Sequence, residues 1–517
     1  MKIVNNTLEF MEKFNALKEI LGLFNLEVLH IGNTSIPNMD SFGVVEALIV
    51  LNNFEDIIEI KKFLETEYDM IHENNVITFI NEEYKIYCVT KEEQFYKEAI
   101  SYKEYLINHP DEVIKYNQMM SKTPDYLLVF SSIAFTNEIL LKIGLKKDLT
   151  YKKSAPDYLQ SVLGITNSLK KYYGLKTSYE TSYLVDDYLL DKPKHIILMV
   201  LDGLGKAIID KNLKDSKFIN QNLKADISTV FPPTTVAATT SIQVGMAPIE
   251  TGWIGWHEYL PGYKDSVILF QNKLYKNGDV NPYGDINEFI KVRPFFEDIN
   301  VPSYTIYPSF KEDGFKTFDE ALDHALEIIK TNDESFIYFY WDEPDFSMHE
   351  FGTSDLKVKG LIASLDESLA HFSEMLDNDT LLIITADHGQ VDVKPIYLKK
   401  FSELIEMLEC APSIEGRMAS FNVKKEKAKE FVELFNQYFS DYFILYTKKD
   451  FMKNKFLGLL TPHPLAESIL GDFLAVATNR YYFDTLNEET PDFVFKGHHA
   501  GMCKDELRVP LIIYKKD

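Results

Sequence analysis

HIILMVLDGLG, residues 195–205, is the stretch that decides the fold. Ile196 to Leu201 are apolar without a break, and the run ends on Asp202-Gly203. A strand with one wet face alternates apolar and polar residues, so an unbroken run points to a strand covered on both faces. The same grammar returns at FIYFYWDEPD (336–345), TLLIITADHG (380–389) and RVPLIIY (508–514). Helix-period segments lie between and before them, at about 157–173, 317–331 and 356–377. Alternating strands and helices predict an α/β fold with a doubly wound, mainly parallel sheet and helices on both faces. In such a sheet, ligands bind beyond the carboxyl ends of the strands.

Those ends carry the chemistry. Asp202 closes the first run, Asp345 and His349 follow the second, and Asp387 and His388 close the third. A further pair, His498-His499 in KGHHAGM, precedes the last run. One Asp after a strand is an ordinary turn or capping residue. Three Asp and three His ligands at successive strand ends converge on one rim. Asp345 and His349 are also spaced to share one face of a helical turn and reach one ion. Carboxylates with neutral imidazoles suit two divalent ions, zinc first and manganese as the alternative. In VFPPTTVAATTSIQVG (230–245), two prolines stop a strand and small residues open a helix. A threonine hydroxyl at that junction meets helix N-terminal amides, which favour phosphate.

The chain has 517 residues and a net charge of −25. So negative a surface opposes nucleic-acid binding, which rests on Lys and Arg displacing counterions. It leaves a small phosphorylated substrate, drawn in by local metal charge, as the expected partner. The cysteines, Cys88, Cys410 and Cys503, form no CxxC pair and suit a reducing compartment. The first residues lack the pattern of a signal peptide, and no apolar run is long enough to cross a membrane. A cytoplasmic protein is expected. The polar stretch 146–158, with Pro156, suggests a boundary near 150, dividing a unit 1–150 from a unit 151–517 with inserts at about 250–330 and 395–495.

LMVLDGLG, FPPTT, DEPDFSMHEFG, TADHG and GHHAGM resemble, in order, the motifs of the alkaline phosphatase superfamily, closest to its nucleotide pyrophosphatase/phosphodiesterase branch. The resemblance covers about residues 154–517. It implies one metal at Asp202, Thr235, Asp387 and His388, and another at Asp345, His349 and His499. His499 is preferred to His498 because a small residue and Gly follow it, and Thr235 to Thr234 because it is fifth in FPxxT. The implied activity is hydrolysis of phosphodiester or nucleotide pyrophosphate bonds through a phosphothreonine on Thr235. A phosphomonoesterase, a phosphosugar mutase and a non-catalytic nucleotide sensor are the alternatives. Two departures stand out. Val236, Ala237 and Ala238 stand where phosphodiesterases carry an Asn soon after the nucleophile, and Thr251-Gly252 stands where many carry His-Gly. Trp253, Trp256 and His257 are candidate substrate contacts, with core or lid packing as the other reading for the aromatics. His463 and Arg417 are weaker candidates of the same kind.

Residues 25–120 carry a second resemblance. LHIGNTSIPNM, VVEALIVL and YKEYLINHPDEVIKYNQM look like the GrpB family of nucleotidyltransferase-fold proteins. Gly32, Asn33, Thr34 and Ser35 keep that fold's phosphate turn. The next strand offers only Glu46, followed by Ala47 and Leu48, and Glu46 reads as a solvent-facing strand residue. The unit is therefore expected to be degenerate, binding a nucleotide or serving as a scaffold. A short helix over 8–24, strands at 28–31 and 44–51, a hairpin around 81–83 and helices over 95–145 are predicted for it.

Overall fold

The three unbroken runs pair side by side as the centre of a six-stranded sheet in a computed structural model. Its strands run in the order Ser303–Ile306, Ser335–Trp341, His195–Leu201, Thr380–Thr385, Arg508–Lys515 and Leu223–Ser228. The first four are mutually parallel. Every residue of the strands at 195–201, 335–341 and 380–385 is buried, as continuous apolarity requires of strands covered on both faces. The last run departs from a purely parallel order, since Arg508–Lys515 is antiparallel to both of its neighbours.

The covering helices follow their sequence patterns. Phe318–Thr331 buries Phe318, Ala321, Leu322, Ala325, Leu326, Ile328 and Ile329, a stripe at helical spacing. It starts at a capping box, in which Thr317 Oγ1 accepts from the Glu320 amide and Glu320 Oε2 from the Thr317 amide, each at 3.2 Å. Leu356–Met375 forms the other long helix.

The two inserts join. Their strands form one seven-stranded antiparallel sheet, ordered Lys273–Leu274, Asp265–Ile268, His257–Leu260, Ser413–Ile414, Met418–Phe421, Phe473–Ala477 and Phe443–Thr447. Trp253, Ile254, Val267, Ile414, Met418, Leu474 and Val476 belong to its core.

The structure describes residue 5 and residues 7–53, 56–73, 76–122, 154–260, 265–487, 491 and 493–516, with seven isolated positions between 132 and 143. The chain divides into two compact units, Met1–Leu149 and Thr150–Asp517. Most of the stretch 146–158, up to residue 153, and much of 123–145 lie outside the described residues. The smaller unit holds a five-stranded sheet, ordered Glu27–Ile31, Val45–Leu51, Tyr84–Thr90, Val76–Ile80 and Asp69–Glu73. The hairpin turns where expected, with Asn81 Oδ1 accepting from the Glu83 and Tyr84 amides at 2.9 Å each. Strand Asp69–Glu73 has no apolar run to announce it.

Glu46 does not face solvent. Its carboxylate lies against Gly32, where an added Cβ would come 1.7 Å from Oε2, and Tyr87 donates to Oε1 at 3.1 Å. Burial pushes its carboxyl up. Among the described residues, no helix is long and apolar enough to cross a membrane.

Candidate active site

Parallel register sets the first two acidic residues level. Val200 pairs with Thr385, so Asp202 and Asp387 each emerge two residues beyond the same rung. Gly203 follows at φ +72°, and a Cβ there would lie 2.9 Å from that of Asp345. Only glycine adopts that backbone freely and lets the next strand's Asp345 approach so closely. The Gly203 amide in turn donates to Asp387 Oδ1 at 3.1 Å. Asp345 opens the short helix Asp345–Phe351, and His349 Nε2 stands one turn on, 3.1 Å from Asp345 Oδ2.

Two groups result, each with ligand atoms within 4.8 Å of one another: Asp202, Asp387 and His388, and Asp345, His349 and His499. The rings of His388 and His499 stack at 3.8 Å, joining the two groups. Thr235 begins the helix Thr235–Val244, and its Oγ1 lies 3.2 Å from His388 Nε2 and 3.4 Å from Asp202 Oδ2. The structure therefore brings together all seven residues expected to hold metal. His499, not His498, faces the second group, while His498 Nδ1 accepts the His499 amide at 2.9 Å.

The three histidines share one orientation. Nδ1 faces a backbone carbonyl in each: Gly497 at 2.8 Å for His349, Gly389 at 3.1 Å for His388 and Pro233 at 3.2 Å for His499. A carbonyl only accepts, so Nδ1 carries the proton and Nε2 presents a lone pair to the cluster. Asp202 Oδ1 and Asp387 Oδ2 are buried with no hydrogen-bond partner, and Asp202 Oδ1 lies 3.3 Å from His388 Nε2. Lone pairs facing orphaned carboxylate oxygens fit a cation between them. Carboxylate and imidazole sets of this kind suit divalent first-row ions. Burial first, then Asp387 and Asp345, push the Asp202 carboxyl well up, and burial raises Asp387 as well. Burial opposes ionisation of Asp345 too, but His349, when protonated, outweighs it and holds that carboxyl down. A bound divalent charge would favour the ionised form of all three.

Further residues complete the site without a sequence signal. Tyr340, on the strand Ser335–Trp341, donates its hydroxyl to Asp202 Oδ2, and Gln390 Nε2 donates to Asp345 Oδ1. Buried Glu415 accepts from Thr234 Oγ1 at 2.5 Å and from the Trp256 amide at 2.9 Å. Burial pushes its carboxyl up to about 7.

The candidate substrate contacts fare differently. Trp253 is a core residue whose indole N–H donates to the Ile290 carbonyl at 2.9 Å. His257 is buried with its ring stacked on Tyr275 at 3.4 Å, and burial pushes its pKa down to about 3. Both are packing residues because the insert sheet closes over them. Trp256 is half-buried at the edge of that core. Arg417 is fully buried, paired with Glu506 through Nε at 2.7 Å and Nη2 at 2.8 Å, so it too is structural. His463 packs on Gly252, where a Cβ would meet its Nδ1 at 3.0 Å.

Residues 196–502, more than half of the chain, match the family model described as type I phosphodiesterase / nucleotide pyrophosphatase. The chain belongs to that family. Residues 1–124 match the model of the GrpB protein family. A rat relative, ectonucleotide pyrophosphatase/phosphodiesterase family member 7, is 28% identical over 90 residues, 16% of this chain and 20% of that protein. The match thus spans a fifth of that relative's length. Murine ectonucleotide pyrophosphatase/phosphodiesterase 5 superposes with a TM-score of 0.50 at 18% identity, over 62% of this chain and 87% of that one. Phosphonoacetate hydrolase from Sinorhizobium meliloti 1021 is similar with a TM-score of 0.46 at 16% identity, over 62% and 90% of the two chains. The alkaline-phosphatase-like α/β fold expected for the larger unit is thereby shown.

Proposed function

We propose that the protein is a two-metal hydrolase of phosphodiester or nucleotide pyrophosphate bonds, with Thr235 as the nucleophile. The observation that carries this reading is the juxtaposition of one hydroxyl with two ligand groups, the first of which has two orphaned carboxylate oxygens, Asp202 Oδ1 and Asp387 Oδ2. Asp202, Thr235, Asp387 and His388 would hold one divalent ion, and Asp345, His349 and His499 the other. Zinc suits this nitrogen–oxygen set, and manganese is the alternative. When bound, such ions supply Lewis acidity and positive charge for acidifying a hydroxyl and for the charge that builds on phosphorus.

The chain's own residues set the geometry. Thr235 Oγ1 attacks phosphorus in line, the leaving oxygen departs, and water then cleaves the phosphothreonine. The amides of the first helical turn face an incoming phosphate and donate to its oxygens. These backbone donors take over the task of the absent Asn, since Val236, Ala237 and Ala238 have no polar side chain. Tyr340 and Gln390 fix the carboxylates of Asp202 and Asp345. The smaller unit, with its Gly32–Ser35 turn closed by Glu46, reads as a degenerate nucleotide-binding unit that helps select a nucleotide substrate.

The test compares bis-p-nitrophenyl phosphate with p-nitrophenyl phosphate on the zinc- and manganese-loaded protein. Diester turnover is expected, and Thr235→Ala should lower it by roughly a thousandfold or more while metal content holds. Activity retained by Thr235→Ala would remove the nucleophile assignment. A clear preference for the monoester would replace the diesterase reading with a phosphatase.

A further inference from the structure

Glu415 is a buried carboxylate beside a phosphate-handling centre, where a second negative charge is costly unless a ligand answers it. Its position is bracketed from two sides. Thr234, which donates to it, is the residue before the nucleophile. Gly416, its chain neighbour, has its Cβ position 3.6 Å from His498 Nε2, and the His498 ring centre lies 5.4 Å from that of His349. Glu415 is thus one hydrogen bond from the residue before Thr235, and its chain neighbour lies against His498.

Oε1 takes both hydrogen bonds, from Thr234 and the Trp256 amide. Among the described residues, nothing donates to Oε2 and no Lys or Arg pairs with the carboxylate. The nearest guanidinium in sequence, Arg417, is committed to Glu506 and to the carbonyls of Asn479 and Tyr481. One oxygen is thus fixed, and the other has no donor among the described residues.

We propose that Glu415 is a specificity-determining residue, and that its Oε2 selects phosphoesters whose alcohol carries a protonated amine close to phosphorus. This rests on the phosphoesterase reading above. An ammonium group supplies the charge and the N–H donors that Oε2 lacks, and a charge-assisted hydrogen bond of this kind is among the stronger ones. An ester with a plain alkyl group would leave the carboxylate desolvated and unpaired. Such a site rejects a substrate lacking the donor more strongly than it rejects one lacking a methylene.

The experiment uses a matched pair of chromogenic diesters, p-nitrophenyl 2-aminoethyl phosphate and p-nitrophenyl propyl phosphate, with the full-length zinc- or manganese-loaded protein. The amino ester should show a kcat/KM roughly tenfold or more above its isostere at pH 8. In Glu415→Gln that ratio should fall to near one, with two equivalents of metal retained. Equal kcat/KM values in the unsubstituted protein, whatever the variant does, would overturn the proposal and leave the hydrolase reading standing. A preserved ratio in Glu415→Gln would also overturn it. Failure of the unsubstituted protein to cleave either ester would overturn both.

Discussion

Tyr340 lies between Phe339 and Trp341 on a fully buried strand, yet its hydroxyl is the donor that holds Asp202 Oδ2. Burial and then Asp202 push this phenol well above its ordinary range, so it stays a donor at any working pH. Tyr340→Phe removes that donor without changing the packed ring. Partners of metal ligands are typically worth 10–100-fold in metal affinity, so zinc should bind about tenfold more weakly. A competition titration with a chromogenic chelator reads this, and an unchanged affinity would make the phenol a packing group only. The seven residues proposed to hold metal were legible because each follows an unbroken apolar run or sits in an ordered motif. Tyr340 was not, because an aromatic in a buried run looks like core. Gln390 was hidden as one polar residue after TADHG, and Glu415 as one acidic residue among many.

At the scale of elements, the central sheet was legible for the same reason, since continuous apolarity marks strands buried on both faces. The insert sheet was not. Its strands are as short as two residues, and the bridge from Ile414 to His257 joins segments far apart in sequence. No local period encodes such a pairing. Closure of that sheet is what turned Trp253 and His257 from candidate contacts into core. The same closure buries Glu258, whose Oε1 accepts from the Ile254 amide at 2.6 Å while Oε2 has no partner. Burial pushes this carboxyl up to about 8. The folded state therefore holds the proton more tightly than the unfolded chain does. Relative stability is full below the ordinary carboxylate pKa near 4.5 and is lost as pH rises through about 8. Glu258→Gln should leave the melting temperature nearly unchanged at pH 5 and raise it at pH 9, by a free energy of up to a few kcal/mol. Thermal scans of both proteins across that range test it. Equal shifts at the two pH values would mean that Glu258 does not ionise on unfolding.

The whole molecule joins two compact units, each with a core of its own. The larger unit contains every residue assigned to metal and phosphate, and the smaller one has the Gly32–Ser35 turn with Glu46 as the carboxylate on its neighbouring strand. Metal that binds only a folded site stabilises that fold by mass action, about 2.7 kcal/mol when free metal is a hundredfold above Kd. It has no such effect on a unit that does not bind it. Calorimetry of the metal-free chain should show two transitions, and added zinc should move only one of them upward, by a few degrees. A chain lacking residues 1–149 should keep the zinc-sensitive transition and lose the other. Two transitions that both rise with zinc would place a second metal site in the smaller unit, with Glu46 as its first candidate ligand. A single transition that shifts as a whole would show that the two units unfold together, and that the smaller one contributes to the stability of the site.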